Sequence, residues 1–90
     1  MRVPTPGLNR WLEETARTER ESPARGRSLK LFFALQTGVR PPTFLMFCND
    51  ASLLHFSMKR RLENGLRERF GFGGVPLRLR FRSRREAGGP

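Results

Sequence analysis

Three arginines near the end of the chain could bind phosphate or carboxylate groups. Arg78, Arg80 and Arg82 alternate with Leu79 and Phe81, which is the period of a strand with one buried face. Each guanidinium can hold a phosphate or a carboxylate through two parallel hydrogen bonds. The pattern therefore predicts a strand whose outer side presents these three arginines, which we call the arginine row.

Two further basic sets accompany this row. Lys30 and Phe32 belong to an earlier strand pattern and join the row if the two strands share an outer face, where a phenylalanine can stack on a base or pack on protein. Lys59, Arg60 and Arg67 project away from the apolar stripe of a predicted helix. Two binding interpretations stay open, RNA or another protein domain, beside the plain alternative of a solvated charged surface.

The sequence lacks the motifs of a nucleotide hydrolase or a metal site. It contains neither G-x-x-x-x-G-K-[ST], which cradles phosphates, nor the guanine-reading N-K-x-D. His55 and Cys48 are the only histidine and cysteine, so no familiar metal site and no intramolecular disulfide is predicted. We expect Cys48 to be a small buried hydrophobe. We also expect the chain to bind no cofactor and to be no enzyme by itself.

Two helices are predicted to position the basic residues. The first starts at Thr5-Pro6, and the second is capped by Asn49 or Asp50 and ends at Gly71. Apolar residues recur at helical spacing in both. They are Leu8, Trp11 and Leu12 in the first helix, and Leu54, Met58, Leu62, Leu66 and Phe70 in the second.

Three strands complete the predicted domain. The first ends at Gln36, and its alternation assigns Leu29, Leu31, Phe33 and Leu35 to the inner side. Proline at 41 and 42 forces a corner before the second strand, Thr43–Cys48, which is apolar on both sides and therefore central. A helix separates this strand from the third, whose inner side starts at Val75, so the two are expected to run parallel.

The resulting fold class is α+β, in the order α-β-β-α-β. Two helices are expected to cover one face of a three-stranded mixed sheet, in one domain of residues 1–84. A polar loop is predicted at residues 18–27 and a disordered basic, glycine-containing tail at residues 85–90. Gly71-Phe72-Gly73-Gly74 matches the G-x-x-G loop that clamps nucleic acid between two helices. Here a strand follows, so we interpret it as a helix end and a turn, with no clamp loop.

The charge balance favours an anionic partner. Eighteen basic side chains oppose eight acidic ones, for a net charge of +10. Such a field attracts polyanions, although an arginine-rich coding sequence would produce the same balance. No apolar stretch resembles a signal peptide or a membrane span, so a cytoplasmic location without a membrane partner is expected.

Four segments carry a family resemblance. In order they are Q-T-G-V-R-P-P-T-F, F-C-N-D, H-F-S-M-K-R-R-L-E-N-G-L-R and F-G-F-G-G-V-P-L-R-L-R-F-R. They resemble the C-terminal KH-like domain of the Der (EngA) family, bacterial GTPases with two tandem G domains that act in ribosome biogenesis. T-P-G-L-N-R-W-L-E-E resembles the first helix of that domain, so the similarity runs from Val3 to Arg84. It implies a KH-like sandwich, with GTP and Mg²⁺ bound only by G domains outside this chain.

Three functional hypotheses follow. The resemblance implies a non-catalytic module that docks on the parent's tandem G domains and helps it contact the rRNA of the large ribosomal subunit. The alternative is a self-standing RNA-binding protein that uses the arginine-lined face, and an enzyme is the third class. Because the clamp loop is missing, the sequence favours G-domain docking over RNA for this face.

We predict that the isolated chain neither binds nor hydrolyses GTP. It lacks the phosphate loop, the guanine-reading segment and the magnesium-binding hydroxyl that such binding requires. Equilibrium titration with a fluorescent GTP analogue measures this directly. Magnesium-dependent binding in the micromolar range would contradict the prediction.

Overall fold

The fold is a two-layer α+β sandwich, described in a computed structural model for residues 2–20 and 29–84. The predicted order α-β-β-α-β is confirmed, with one additional 3-10 turn at Ala51–Leu53. The elements are helix α1 (Thr5–Arg20), strands β1 (Leu31–Val39) and β2 (Pro42–Cys48), helix α2 (Phe56–Phe70) and strand β3 (Arg78–Ser83).

The sheet has the predicted mixed topology. β2 is central, antiparallel to β1 and parallel to β3. The first strand runs past the predicted end at Gln36 and pairs through Val39 with Pro42, where β2 begins. Because proline is tolerated at the first residue of a strand, β2 can begin at Pro42. Only Arg40 and Pro41 are then left to form the corner, which is tighter than expected. The third strand begins later than predicted, at Arg78, because Pro76 has no N–H for the ladder.

A β-bulge in β1 overturns the predicted inner side of this strand. The pairing shifts between Leu31 and Phe33, so that Phe32 is an extra residue opposite the β2 ladder. Phe33 is consequently 42% exposed, while Ala34 and Gln36 are buried on the side of the helices. The prediction that Phe33 and Leu35 lie inside is therefore wrong, since simple alternation does not anticipate the inserted residue.

The hydrophobic core lies between the two helices and the inner face of the sheet. Trp11 packs against α2, where its indole ring would lie only 3.2 Å from a Cβ atom at Gly65, so glycine permits this close approach. The fully or nearly fully buried apolar residues include Leu8 and Leu12 of α1, Ala34, Phe44, Met46 and Leu79 of the sheet, and Leu62 and Leu66 of α2. Both predicted helix stripes are thus confirmed in their central residues.

The second helix begins later than predicted. Asp50 caps the 3-10 turn instead, because its carboxylate accepts a hydrogen bond from the Ser52 N–H at 3.0 Å. His55 is the residue before the first turn of α2, and its side chain makes no cap hydrogen bond. The predicted end is confirmed: Gly71 has the left-handed conformation, with φ of 75°.

The glycine-rich segment after α2 is a helix end and a turn, as predicted. Hydrogen bonds from the N–H groups of Gly71 and Phe72 to the carbonyl of Arg67 close the C-terminal end of α2. The Val75 N–H then donates to the Phe72 carbonyl at 3.0 Å. The segment therefore joins a helix to a strand, which is not the setting of a nucleic-acid clamp loop.

Two predicted polar segments lie largely outside the described residues. The expected loop at residues 18–27 is shorter than predicted at its start, because α1 continues to Arg20. The remainder of that loop and the predicted tail at 85–90 fall outside the part of the chain that the structure describes.

The side-chain amides of Asn9 and Gln36 link the N-terminal segment to the edge of β1 that faces away from β2. The Asn9 amide donates to the Ala34 carbonyl at 2.8 Å and accepts from the Ala34 N–H at 2.7 Å. Gln36 extends this arrangement, because its Oε1 accepts from the Val3 N–H at 2.6 Å and its Nε2 donates to the Gly38 carbonyl. No sequence motif predicts these amide contacts. Those of Asn9 take the place of a neighbouring strand at Ala34.

Leu79→Ala should lower the free energy of unfolding by about 2–5 kcal/mol, because it leaves a cavity in the core. Arg80→Gln, on the opposite side of the same strand, should change it by no more than about 0.5 kcal/mol. Phe33→Ala should cost less than Leu79→Ala because Phe33 is exposed. Chemical denaturation followed by the fluorescence of buried Trp11 measures all three. Equal losses at Leu79 and Arg80 would contradict the assigned faces.

Asn9→Asp should destabilise the fold by about 1–3 kcal/mol, because the carboxylate keeps an acceptor for the Ala34 N–H but loses the donor to its carbonyl. Asn64→Asp is the matched control, since Asn64 is exposed on α2 and its Oδ1 serves only as an acceptor for Arg67 among its described hydrogen bonds. Denaturation curves measure the loss, and amide exchange at Ala34 should accelerate. Equal stabilities of the two variants would show that the edge contact contributes nothing.

Candidate functional site

The arginine row lies on the face of the sheet opposite the helices, as predicted. Parallel pairing sets Arg78 beside Thr43, Arg80 beside Leu45 and Arg82 beside Phe47, and the three arginines are exposed. Residues two apart in a strand are separated by roughly 6.6 Å. Three guanidinium groups therefore follow one another along the edge strand of this surface, which we call the outer face.

An apolar column runs beside the arginine row. It consists of Leu45 and Phe47 from β2 and their partners Leu35 and Phe33 from β1. Leu45, Phe47 and Leu35 are half-buried although neither α1 nor α2 covers them. The outer face thus combines a line of positive charge with a strip of hydrocarbon, which suits a ligand that has both anionic and apolar parts.

At one end of the outer face, three phenylalanines and an arginine line an open groove of about 380 Å³. We call Phe32, Phe33, Phe47 and Arg84 the aromatic groove. The Arg84 guanidinium carbon lies 4.8 Å from the centroid of the Phe32 ring, within cation–π distance. The ring centroids of Phe33 and Phe47 are 6.4 Å apart. Flat surfaces and a planar cation thus converge at this point.

Only one residue of this groove, Phe32, was among the predicted site residues. At the bulge, Phe32 has no partner in the β1–β2 register. The same shift turns Phe33 outward, where it pairs with Phe47. No local sequence signal reveals this, because apolar residues occupy both sides of the first half of β1. Arg84 was not predicted because it lies two residues after Arg82, beyond the end of the predicted arginine row.

Lys30 lies at the same end of the sheet as the aromatic groove. It precedes Leu31, whose partner is Cys48, and it is exposed. Its backbone N–H donates to the Asn49 side chain at 2.8 Å, and its carbonyl accepts from the Asn49 N–H at 3.0 Å. This pairing extends the β1–β2 ladder by one residue and fixes the backbone from which Lys30 projects.

The predicted basic residues of α2 lie in the other layer. Arg60 is exposed and stacks over Phe56, with 5.2 Å between its guanidinium carbon and the ring centroid. The Arg67 Nε donates to the Val75 carbonyl at 3.3 Å, so this side chain braces the turn after the helix. Lys59 is half-buried on the same helix. The structure therefore divides the eight predicted residues between two separate surfaces.

The strands contribute positive charge to the outer face and no negative charge. None of β1, β2 and β3 contains aspartate or glutamate. The described acidic side chains belong instead to the helices and to the segment before the 3-10 turn. The described strands thus place no acidic side chain beside the arginine row, and Arg84 adds a further positive charge, so the local potential favours an anionic ligand.

Cys48 has the predicted role of a small buried hydrophobe. It is fully buried at the end of β2, and its thiol donates a weak hydrogen bond to the Arg82 carbonyl at 3.5 Å. Burial raises the pKa of the Cys48 thiol above its ordinary value, and this effect outweighs a hydrogen bond with the Asp50 backbone that acts in the opposite direction. The thiol therefore stays protonated and packs as a hydrophobe.

Metal-ligand clusters and membrane-spanning helices are both absent from the described part of the chain. Within residues 2–20 and 29–84, no three His, Cys, Asp or Glu side chains group as metal ligands would. None of the described helices combines the length and apolar character that a membrane-spanning helix needs.

Comparison with known proteins connects this geometry to one family. Residues 2–82 match the profile of the KH-domain-like family described as the C-terminal domain of EngA bacterial GTPases. The chain is 50% identical to GTPase Der of Syntrophotalea carbinolica over 82 residues and 51% identical to that of Syntrophobacter fumaroxidans over 89. These alignments cover 91% and 98% of this chain but only 19% and 20% of the relatives. The chain thus spans about a fifth of the length of the relatives it matches.

Proposed function

The chain belongs to the KH-domain-like family of EngA (Der) GTPases, and we propose from this that it is a non-catalytic module through which a Der-type GTPase contacts RNA. The chain corresponds to the C-terminal domain of these GTPases and does not contain their G domains. Its place of action would be the cytoplasm, on the rRNA of the large ribosomal subunit. GTP and Mg²⁺ would be bound by the parent's G domains alone.

The observation that carries this proposal is the charge arrangement of the outer face. The arginine row belongs to β3, and none of the three strands contains an acidic residue. The chain as a whole has a net charge of +10. A line of arginines neutralises phosphates and releases their condensed counterions, which is the main source of affinity for a polyanion. The aromatic groove at the end of the row favours RNA over protein as the occupant, contrary to the expectation from the sequence.

The G domains remain the second partner in this proposal. The half-buried apolar column of the outer face and the basic surface of α2 both offer contacts to a folded protein. Because the two surfaces belong to different layers of the domain, one can hold a G domain while the other meets RNA. Such an arrangement would couple the nucleotide state of the parent GTPase to its RNA contact.

A self-standing RNA-binding protein is the alternative, since it could use the same arginine row. Binding of the chain to separately expressed G domains distinguishes this alternative from a docking module. The 90-residue chain can be added to GTPase Der of Syntrophotalea carbinolica that lacks its own C-terminal domain. A docking module should bind this truncated relative, because the domains are 50% identical. A self-standing protein should bind RNA and should not bind the truncated relative.

Replacing Arg78, Arg80 and Arg82 together with glutamine should weaken binding of single-stranded RNA in a salt-dependent way. The slope of log K against log salt should shrink by about 0.7 for each phosphate-binding arginine that is replaced, or about 2 for the triple variant. Fluorescence anisotropy with a labelled single strand at several salt concentrations measures the slope. Glutamine keeps the polarity of an exposed strand, so the fold should survive.

The matched control removes three exposed arginines outside the sheet, Arg2, Arg10 and Arg17, and should leave the slope nearly unchanged. Equal effects of the two triple variants would mean that only net charge matters. A triple variant of the arginine row that keeps its slope but no longer associates with the truncated relative would show that the outer face docks on protein.

A further inference from the structure

We infer that the aromatic groove stacks an unpaired base of single-stranded RNA, while the arginine row holds the phosphates that follow it. This inference rests on the proposed RNA contact and assigns the base-binding part of the site. Phe32, Phe33, Phe47 and Arg84 form the walls of the groove. The proposal extends the site from a charged surface, which any polyanion satisfies, to one that distinguishes nucleic acid from other anions.

The exposure of the phenylalanines is the first argument. Phe32 and Phe33 are 43% and 42% exposed, and they are adjacent residues whose rings meet at one groove with that of Phe47. Single exposed hydrophobic residues are common on protein surfaces, whereas three rings that converge at a groove are typical of a binding site. Every base offers a flat face to such rings, so stacking there needs no particular sequence.

The position of the charges is the second argument. Phe47 is paired with Arg82 across the β2–β3 ladder, so the backbones that carry a ring of the groove and a phosphate-binding side chain are neighbours, one strand spacing of about 4.8 Å apart. A nucleotide likewise carries its phosphate beside its base. Arg84 adds a guanidinium plane that already lies against the Phe32 ring and can also stack on a base.

The choice of single-stranded nucleic acid over protein follows from these charges. A protein partner for this surface would need acidic groups opposite the arginines and apolar groups opposite the rings, in two separate sets. A single strand of RNA provides both in each nucleotide. A duplex would not serve, because its bases are already stacked and only unpaired bases can reach aromatic side chains.

The test compares two probes that carry the same number of phosphates. One is oligouridine about ten nucleotides long, within the range of single-strand binding sites, and the other is an abasic ribose-phosphate strand of equal length. The variants are Phe32→Leu, Phe33→Leu and the double change. Leucine retains an apolar side chain but has no aromatic face. Phe33→Tyr retains the ring, and Phe56→Leu removes an exposed ring on α2, far from the outer face.

The wild-type chain should bind oligouridine more tightly than the abasic strand. The leucine variants should lose roughly 5-fold to 150-fold in affinity for oligouridine, the equivalent of one stacked base, with little change for the abasic strand. Phe33→Tyr should lose less affinity for oligouridine than Phe33→Leu, because it keeps a ring that can stack on a base. Phe56→Leu should bind like the wild type. The salt slope should be the same in all these variants, since none of them removes a phosphate-binding side chain.

Two results would overturn the inference while leaving the proposed function standing. In the first, the leucine variants keep the preference for oligouridine although the arginine-row variant loses its salt slope. In the second, they weaken association with the truncated relative and leave RNA affinity unchanged, which would assign the groove to protein. If neither the leucine variants nor the arginine-row variant affects RNA binding, the proposed function fails together with the inference.

Discussion

Coverage of a single face of the sheet is the constraint on which this structure depends. The described residues, 2–20 and 29–84, form two α-helices, and both pack on the inner face, where Phe44, Met46 and Leu79 are buried. A domain of 90 residues can build two layers around one core but has little chain left for a third. Neither α1 nor α2 covers the outer face, and its side chains are available to a partner. The division into a packed face and a free face sets where function can reside.

The strand with the strictest alternation was the easiest to predict from the sequence. In β3, leucine and arginine differ so strongly in hydropathy that only one orientation is stable, and Leu79 and Arg80 lie where the pattern indicates. β1 was harder because both of its sides are largely apolar. When hydropathy does not distinguish the faces, a β-bulge can invert the strand without an energetic penalty that the sequence would reveal. Ala34 and Gln36, not Phe33, face the helices as a result.

The candidate site shows the same contrast between a part that the sequence predicts and a part that it does not. The arginine row follows from β3 alone, whereas the aromatic groove depends on the bulge, on the pairing of β1 with β2, and on Arg84 beyond the predicted row. Long-range pairing of this kind is not written in any local pattern. The start of α2 shows the same limit, since Asp50 offers its carboxylate to a 3-10 turn as readily as to a helix. Local capping chemistry identifies a turn but does not decide which kind.

The amide of Asn9 has a consequence for how copies of this domain behave toward one another. A β-sheet with a bare edge is a template for strands from other molecules, and such growth leads to aggregation. On β1 the template is already occupied at its middle, because one side chain engages both the N–H and the carbonyl of Ala34. On β3 the exposed arginines of neighbouring molecules would repel each other. Both features disfavour edge-to-edge pairing between copies of the domain while the outer face stays open to a different partner.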